Sequence, residues 1–548
     1  MNRALQSPSA PASPGAAATT AAPRVSRSTA RSILGTALLL GIAGDALLRD
    51  FPVGFAFGVW IATLSLAAVS LLWRAEQPVS RETGAWLVAA VFFALGFAWR
   101  NSDELLALDF LATIGALGMA AVSSSNAGAA LFARRLRDTL IAGFTVVKGV
   151  LVGMLPLVFR ESLAGGEAKR IGGRFVPLVR AAAISGALLL VFGALLRGAD
   201  PIFASLVTLP SVDVDVIMSH VLLIGFFTWV VGGWSRAAVI ARTDSHASAL
   251  DLPFRFGMLD ITAALGTLNV LFAAFVLAQL GWFFGGERFL QERTGLTAAT
   301  YARQGFFQLV WVVTLVVPVL VATRATLEPG RALARRHTAL SLPIIGLLGV
   351  IIVSATLRMK MYVHFYGLTT DRLYAFVFMA WLAVVLIWLA LTVLRDWGRP
   401  FVAGATISGL AVLALLNGSD PDAFVARVNI ERGARMASTT QPSLDLAHLS
   451  QLRGHAVALA TQATLANPIG SDGSTLRAAD DAQRCIAART LLNRWGPSSR
   501  ASLRQSSDAA WRFWNAADAA ATRTVATHFN ALLQVQHAAC KPPAQTVR

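Results

Sequence analysis

Mostly apolar runs recur through positions 33–417, several of them short but most near the roughly 20 residues that carry an α-helix across a hydrocarbon core about 30 Å thick. Inside such a core no water can satisfy a backbone amide, so runs that are apolar on every side must form helices. Candidate spans fall at 33–48, 53–73, 84–99, 105–122, 176–196, 216–234, 259–284, 305–323, 338–357, 373–394 and 401–417. The predicted fold class is all-α: a polytopic transmembrane helical bundle of about 11 spans, 12 if 139–159 also crosses, with a small C-terminal helical extramembrane domain. Charged residues make up only 14% of the 548, against about 25% in ordinary soluble domains, which excludes a soluble enzyme.

The net charge of +17 would point to nucleic acid in a soluble protein, but here it first reports topology. The segment 139–159 is apolar enough to span, yet it holds Lys148 at its middle and Pro156 near its end. Arg134, Arg135, Arg137 and Arg160 flank it. If it lies on the cytoplasmic surface, basic residues of the membrane region divide about 24 inside to 9 outside; if it crosses, they divide almost evenly. The lopsided division is the expected one, with a cytoplasmic N-terminus and an exported C-terminus.

Five regions follow. Residues 1–32, rich in Ala, Ser, Thr and Pro, read as a disordered tail. Residues 33–129 form an N-terminal four-span region, 130–175 a basic amphipathic interfacial segment, 176–417 the membrane core, and 418–548 the helical tail domain. Lys148, Lys169, Arg170 and Arg174 in the interfacial segment suit anionic lipid headgroups, at about 1 kcal/mol per basic residue near the surface. Nucleic acid is not an expected partner.

In the tail, Leu449, Leu452, Ala456, Leu459 and Ala463 recur at spacings of three and four, predicting one amphipathic helix. A second helix is expected to stop at Trp495 before Gly496-Pro497. A third is expected to start at the cap Ser507-Asp508 and carry Trp511, Trp514, Val525, Phe529 and Leu532 on one stripe. Both cysteines, Cys485 and Cys540, fall in this tail; a disulfide between the second and third helical regions and a pair of buried free thiols both fit the sequence.

Several strings resemble an uncharacterised family of bacterial multi-pass inner-membrane proteins known only as a domain of unknown function, the forty-one seventy-three type. They are Ala199-Asp200-Pro201-Ile202-Phe203-Ala204, Phe283-Phe284-Gly285-Gly286 and Tyr301-Ala302-Arg303-Gln304-Gly305-Phe306-Phe307. Arg358-Met359, Tyr362, Tyr366-Gly367-Leu368-Thr369 and Arg372-Leu373-Tyr374 follow. Leu444-Asp445-Leu446 and Trp511-Arg512-Phe513-Trp514-Asn515 complete the set, which covers roughly residues 175–520. The resemblance implies a bacterial inner-membrane location and a multi-pass core with a C-terminal extramembrane helical region. It brings no activity. Relatives carry acidic residues where this chain has Thr300, Gln308 and His364, and an Asp where His455 stands, so no acid/base role is carried over to those positions.

Polar groups in or beside the spans are the remaining candidates, because ionisable side chains in hydrocarbon are costly. Asp45, Asp109 and Asp260 sit near span ends and read as interfacial. On the long span 259–284, Asp260, Asn269 and Gln279 do not form one stripe at 100° per residue, so hydrogen bonding between helices is their expected role. A candidate outer-face polar cluster comprises Tyr301, Arg303, Arg358, His364, Tyr366 and Arg372, where Arg forks suit a carboxylate or phosphate. Its bland counterpart is an aromatic belt with snorkelling arginines.

The sequence shows no GxxxxGK loop, no HExxH or clustered Cys and His, and no GxSxG elbow, so no catalytic residue, metal or cofactor is assigned. The expected role is that of a structural, accessory or sensing protein of the cell envelope, contacting an envelope partner through the exported tail. A small-solute transporter, and a membrane enzyme acting on a lipid-linked or anionic substrate at the outer loops, are the alternatives.

Overall fold

A computed structural model of the chain describes residues 26–50, 54–125, 136–162, 185, 214–240, 257–294, 306–325, 327, 330–392, 394, 401–436, 444–466, 481–505 and 510–540. Among them the long elements are all helices. In chain order they are α1 (Arg27–Leu48), α2 (Phe55–Arg74), α3 (Arg81–Trp99), α4 (Asp103–Ser125), α5 (Leu136–Val152), α6 (Val214–Val239) and α7 (Met258–Thr294). Then come α8 (Phe306–Ala325), α9 (Arg331–Tyr366), α10 (Thr370–Thr392), α11 (Phe401–Ser419) and α12 (Pro421–Met436). The C-terminal set is α13 (Leu446–Gln451), α14 (Ala456–Leu465), α15 (Asp481–Trp495), α16 (Arg500–Gln505), α17 (Ala510–Phe513), α18 (Ala516–Thr527) and α19 (Phe529–Ala539).

Among the described residues nine helices are long and apolar enough to cross a membrane: α1 to α4, α6, α7 and α9 to α11. Large apolar side chains on them face outward, among them Leu39, Leu66, Leu111, Leu222, Val270 and Leu415, each at least 63% exposed. In water such a surface would drive aggregation; against acyl chains it costs nothing. The expected span at 305–323 is α8. The one at 176–196 lies outside the described residues. Helix α1 begins at Arg27, six residues before the apolar run, because Ala30 is already fully buried in the bundle; the polar tail expected over 1–32 therefore gives way to helix at its end.

Helix directions alternate so that the α2–α3 turn and the ends of α4 and α6 share one side. There Gln77 donates to the Val239 carbonyl and Ser124 to that of Ala238. The α1–α2 and α3–α4 turns, the start of α6 and the end of α11 share the other. Helix α5 meets α6 near the first side, where Trp229 donates to the Leu151 carbonyl at 2.9 Å. Beyond Pro156 the chain widens into a π-helical turn, Leu157–Ser162, and Glu161 pairs with Arg236.

Two apolar cores fill the membrane region. One joins α1 to α6, the other α7 to α11. A smaller cluster, Phe93, Leu105, Leu413 and Leu416, fastens α11 to α3 and α4 and so bridges them. The C-terminal helices have a core of their own, built on Leu449, Val457, Leu491, Trp495, Val525 and Leu532.

In that region the expected single helix through Leu449 and Ala463 is broken in two. Leu452 to His455 form a turn in which Gly454 has φ +59°, and Arg453 leaves the helix to reach other segments. The expected third helix is likewise interrupted, at Trp514-Asn515 and again at His528. Its proposed cap, Ser507-Asp508, lies outside the described residues. The expected end of the second helix at Trp495 coincides with the end of α15.

Helices α1 and α6 pack backbone to backbone. A Cβ at Gly41 would overlap the Thr228 hydroxyl and lie 2.8 Å from the Ile224 carbonyl, so these backbones meet only because Gly41 has no side chain. Gly41→Val should separate the pair and cost about 1–3 kcal/mol. The expected result is a lower thermal midpoint of the full chain in detergent; an unchanged midpoint would refute the close contact.

Candidate functional site

Among the described residues an extended polar assembly stands where the ends of α1, α3 and α11 and the start of α4 meet the C-terminal helices. It grows from helix termini, whose last carbonyls have no partner within the helix. Helix α3 ends at Trp99, and Arg100 turns to extended geometry (φ −123°, ψ 156°). Its guanidinium then reaches the end of α11: Nε donates to the Asn417 carbonyl at 2.8 Å, Nη2 to that of Gly418 at 3.4 Å, and Nη1 to Asp420 Oδ2 at 2.7 Å. Asp420 links α11 to α12 at φ 51°, in the left-handed region that Asp tolerates better than most residues. Its Oδ1 accepts from the Ala423 amide at 3.1 Å, and its Oδ2 also faces His455 Nδ1 at 2.7 Å. One carboxylate thus joins three distant parts of the chain.

A second layer locks the C-terminal helices to the same end. Arg453 forks onto Asp103 with two 2.6 Å bonds, a bidentate geometry with directional strength, and also donates to the Asn101 carbonyl at 2.6 Å. Asn101 in turn donates to Asp518. Asn515, 6% exposed, uses its whole amide: Nδ2 donates to the carbonyls of Phe97 (2.8 Å) and Arg100 (2.6 Å), while Oδ1 caps α18 through the Ala517 and Asp518 amides. Arg512 donates to the Ala46 carbonyl and to Asp50, and the Trp514 carbonyl accepts from the Phe55 amide at 3.1 Å. Burial pushes the Asp422 carboxyl up to about 6, and the neighbouring negative charge of Asp420 adds to the shift. Burial also raises Asp518, against the lowering effect of the Asn101 bond.

The residues singled out in the sequence fall elsewhere. Tyr301 and Arg303 lie outside the described residues. Arg358 is buried in α9, whereas Lys360 and His364 are exposed. Arg372 lies over the Tyr362 ring, 4.3 Å from its centroid, and donates to the Gly367 carbonyl; Tyr366 packs on Tyr362 at 4.8 Å. Asn429 holds the same turn by bonding both backbone groups of Leu368, and Arg432 donates twice to the His364 carbonyl. This part of the cluster therefore closes the α9–α10 turn and seats α12 on it.

Asp260 accepts from the Gly257 amide at the start of α7. Asn269 donates to the Leu265 carbonyl in its own helix and to that of Leu340 in α9 at 2.8 Å. Gln279 lies in α7, and its side chain is outside the described residues. Asp45, near the end of α1, pairs with Arg49 at 2.9 Å and with His220 of α6 at 2.5 Å. Asp109, which reads as interfacial in the sequence, is fully buried between α3, α4 and α11. Cys485 and Cys540 are joined, with Cα atoms 5.1 Å apart, tying α15 to the end of α19.

Below the polar assembly, α4, α10 and α11 enclose a groove of about 600 Å³ lined by Leu108, Val377, Trp381, Leu413 and Leu416. It offers almost no group to a polar solute. Among the described residues no group of three or more His, Cys, Asp or Glu stands close enough to hold a metal ion. The residues that build the joint, Arg100, Asp103, Asp420, Arg453 and Asp518, went unrecognised in the sequence. Asn515 was visible only as the last letter of the Trp511 string, and the Pro421 that follows Asp420 was the one local sign of a helix boundary.

The chain matches the model of a family described as Domain of unknown function (DUF4153) over residues 87–462. The designation differs from the forty-one seventy-three one expected from the strings. The match runs from within α3 to within α14 and stops short of the Trp511 string. No curated protein and no solved structure matches the chain.

Two outcomes test the joint. Arg100→Met leaves Asp420 half-buried without its arginine and should cost about 3–5 kcal/mol, seen as faster limited proteolysis of the C-terminal helices. Asp422 binds its proton more tightly folded than unfolded, so its contribution is complete below about pH 4 and is lost as pH rises through 6. Thermal midpoints measured from pH 4 to 7 should fall less steeply for Asp422→Asn than for the unaltered chain.

Proposed function

The chain belongs to the DUF4153 family, and from that premise we propose that it is a structural, accessory or sensing protein of the bacterial inner membrane. Its C-terminal helices form a cap on the exported side and pass the state of an envelope partner to the membrane helices. The observation that carries this reading is the joint itself. Arg453, Asn515 and Arg512 hold the cap rigidly on three different turns and ends of the bundle, where a tethered binding module would need only a linker. A force on the cap therefore bears directly on α1, α3, α4 and α11.

The orientation rests on the charge division, about 24 basic residues to 9. Helix α5 lies along the cytoplasmic interface in this reading, with anionic lipid beside Lys148. The Cys485–Cys540 bond suits an oxidising compartment and, for a closed loop of this size, stabilises the cap by roughly 4 kcal/mol.

In intact cells a membrane-impermeant maleimide should label Arg523→Cys at once and Glu76→Cys only after permeabilisation; the opposite pattern overturns the orientation. Loss of coupling should be as harmful as loss of the cap. Arg453→Ala, with normal membrane levels, is expected to reproduce the phenotype of a chain truncated after residue 418. If neither alters growth under envelope stress where a null strain does, the proposal fails.

A further inference from the structure

Asp109 lies on the second turn of α4, and Asn417 on the last turns of α11. Both are buried, Asp109 completely and Asn417 to within 7%, among Phe93, Leu105, Leu413 and Leu416. The third wall is Gly96 of α3: a Cβ there would overlap Asp109 Oδ2 and stand 3.5 Å from Asn417 Oδ1. The absent side chain leaves room for these two oxygens and nothing more.

Their hydrogen bonding is half complete. Asn417 Nδ2 donates to Asp109 Oδ1 at 2.8 Å and to the Leu413 carbonyl at 3.1 Å. Those two acceptors fix which end of the amide faces which way, because turning it over would set its oxygen against both. Among the described residues Asp109 Oδ2 and Asn417 Oδ1 are then left as buried acceptors with no donor. Thr113 does not help, since its hydroxyl bonds the Asp109 backbone carbonyl.

A carboxylate is an acceptor only, whereas a carboxylic acid has one donor. We infer that Asp109 and Asn417 form a proton-binding site, in which one proton on Asp109 Oδ2 bonds Asn417 Oδ1 and closes a cyclic acid–amide pair between α4 and α11. A single proton supplies the missing donor for both orphaned oxygens. Charge is excluded for the same reason: a buried carboxylate with one neutral hydrogen bond lacks the partners that make burial tolerable.

The surrounding charges do not alter this. Arg100, above α3, is committed to Asp420 and to the Asn417 and Gly418 carbonyls. Glu104, on α4 itself, is exposed and accepts from Ser102. Tyr374 of α10 is a neutral phenol bonded to Ser102, and Asp422 of α12 is a further acidic group nearby that would repel, not stabilise, a second negative charge. α3 brings Gly96, Phe93 and Phe97, none ionisable.

The site joins the two membrane cores at the bridge between them, and Asn417 also gives its carbonyl to the Arg100 joint. Release of the proton would place a bare charge in that bridge and loosen α11 from α4. Proton occupancy thereby reaches the attachment of the C-terminal helices through one residue.

Infrared spectroscopy of the full chain in nanodiscs reads the proton directly. At pH 7 a protonated-carboxyl band is expected that is lost in Asp109→Asn and displaced in Asn417→Leu. Raising the pH should remove it. Asp109→Asn offers the same donor and acceptor without a titrating proton, so it should keep the wild-type thermal midpoint at pH 7 and lose the decline at higher pH. A spectrum with no band assignable to Asp109, a band abolished by sodium chloride at constant pH, or an Asp109→Asn chain unfolded at pH 7 would each overturn the inference.

Discussion

A polar group inside hydrocarbon has no water to turn to, and the architecture follows from where such groups can be satisfied. Within the bundle the backbone answers to itself as helix, and the side chains that touch are overwhelmingly apolar. The unsatisfied carbonyls and amides collect at the helix ends, where arginine, aspartate and asparagine can meet them at modest cost. Arg100 on the end of α11, Asn515 on the end of α3 and Arg512 on the end of α1 are the same solution used three times. The cap sits on the bundle because the bundle's own ends require partners.

This arrangement divides stability unevenly. Large apolar surfaces hold α1 to α6 and α7 to α11 together, and the seam between those groups runs along α11, through Ala403 and through the cluster of Phe93, Leu105, Leu413 and Leu416. The cap crosses the seam from above: its contacts include α3 and α4 on one side and the α9–α10 turn and α11 on the other. A structure built this way can shift at the seam without losing either core, and the polar joint is where such a shift would be felt.

Much of this was legible in the chain. The apolar runs located the membrane helices to within a few residues at most ends, and the Gly496-Pro497 stop marked the end of α15. Periodicity failed where a helix breaks to release a side chain. Leu449 to Ala463 keep helical spacing across Gly454, yet the turn there is what lets Arg453 reach Asp103; the same holds for Asn515 between α17 and α18. Spacing records which face is apolar, and a break that preserves the face leaves no trace in it. Asp109 misled for a related reason, since closeness to a span end along the chain says nothing about which neighbour covers it.

The sequence by itself determined that the chain crosses a membrane many times as helices, because length and hydropathy act locally and add along the chain. Only the tertiary structure decided that the tail is a clamped cap, that Asp420 joins Arg100 and His455, and that Asp109 faces Asn417 across Gly96. Those contacts pair residues up to several hundred positions apart, and their energies depend on burial and direction, which exist only once the helices have packed.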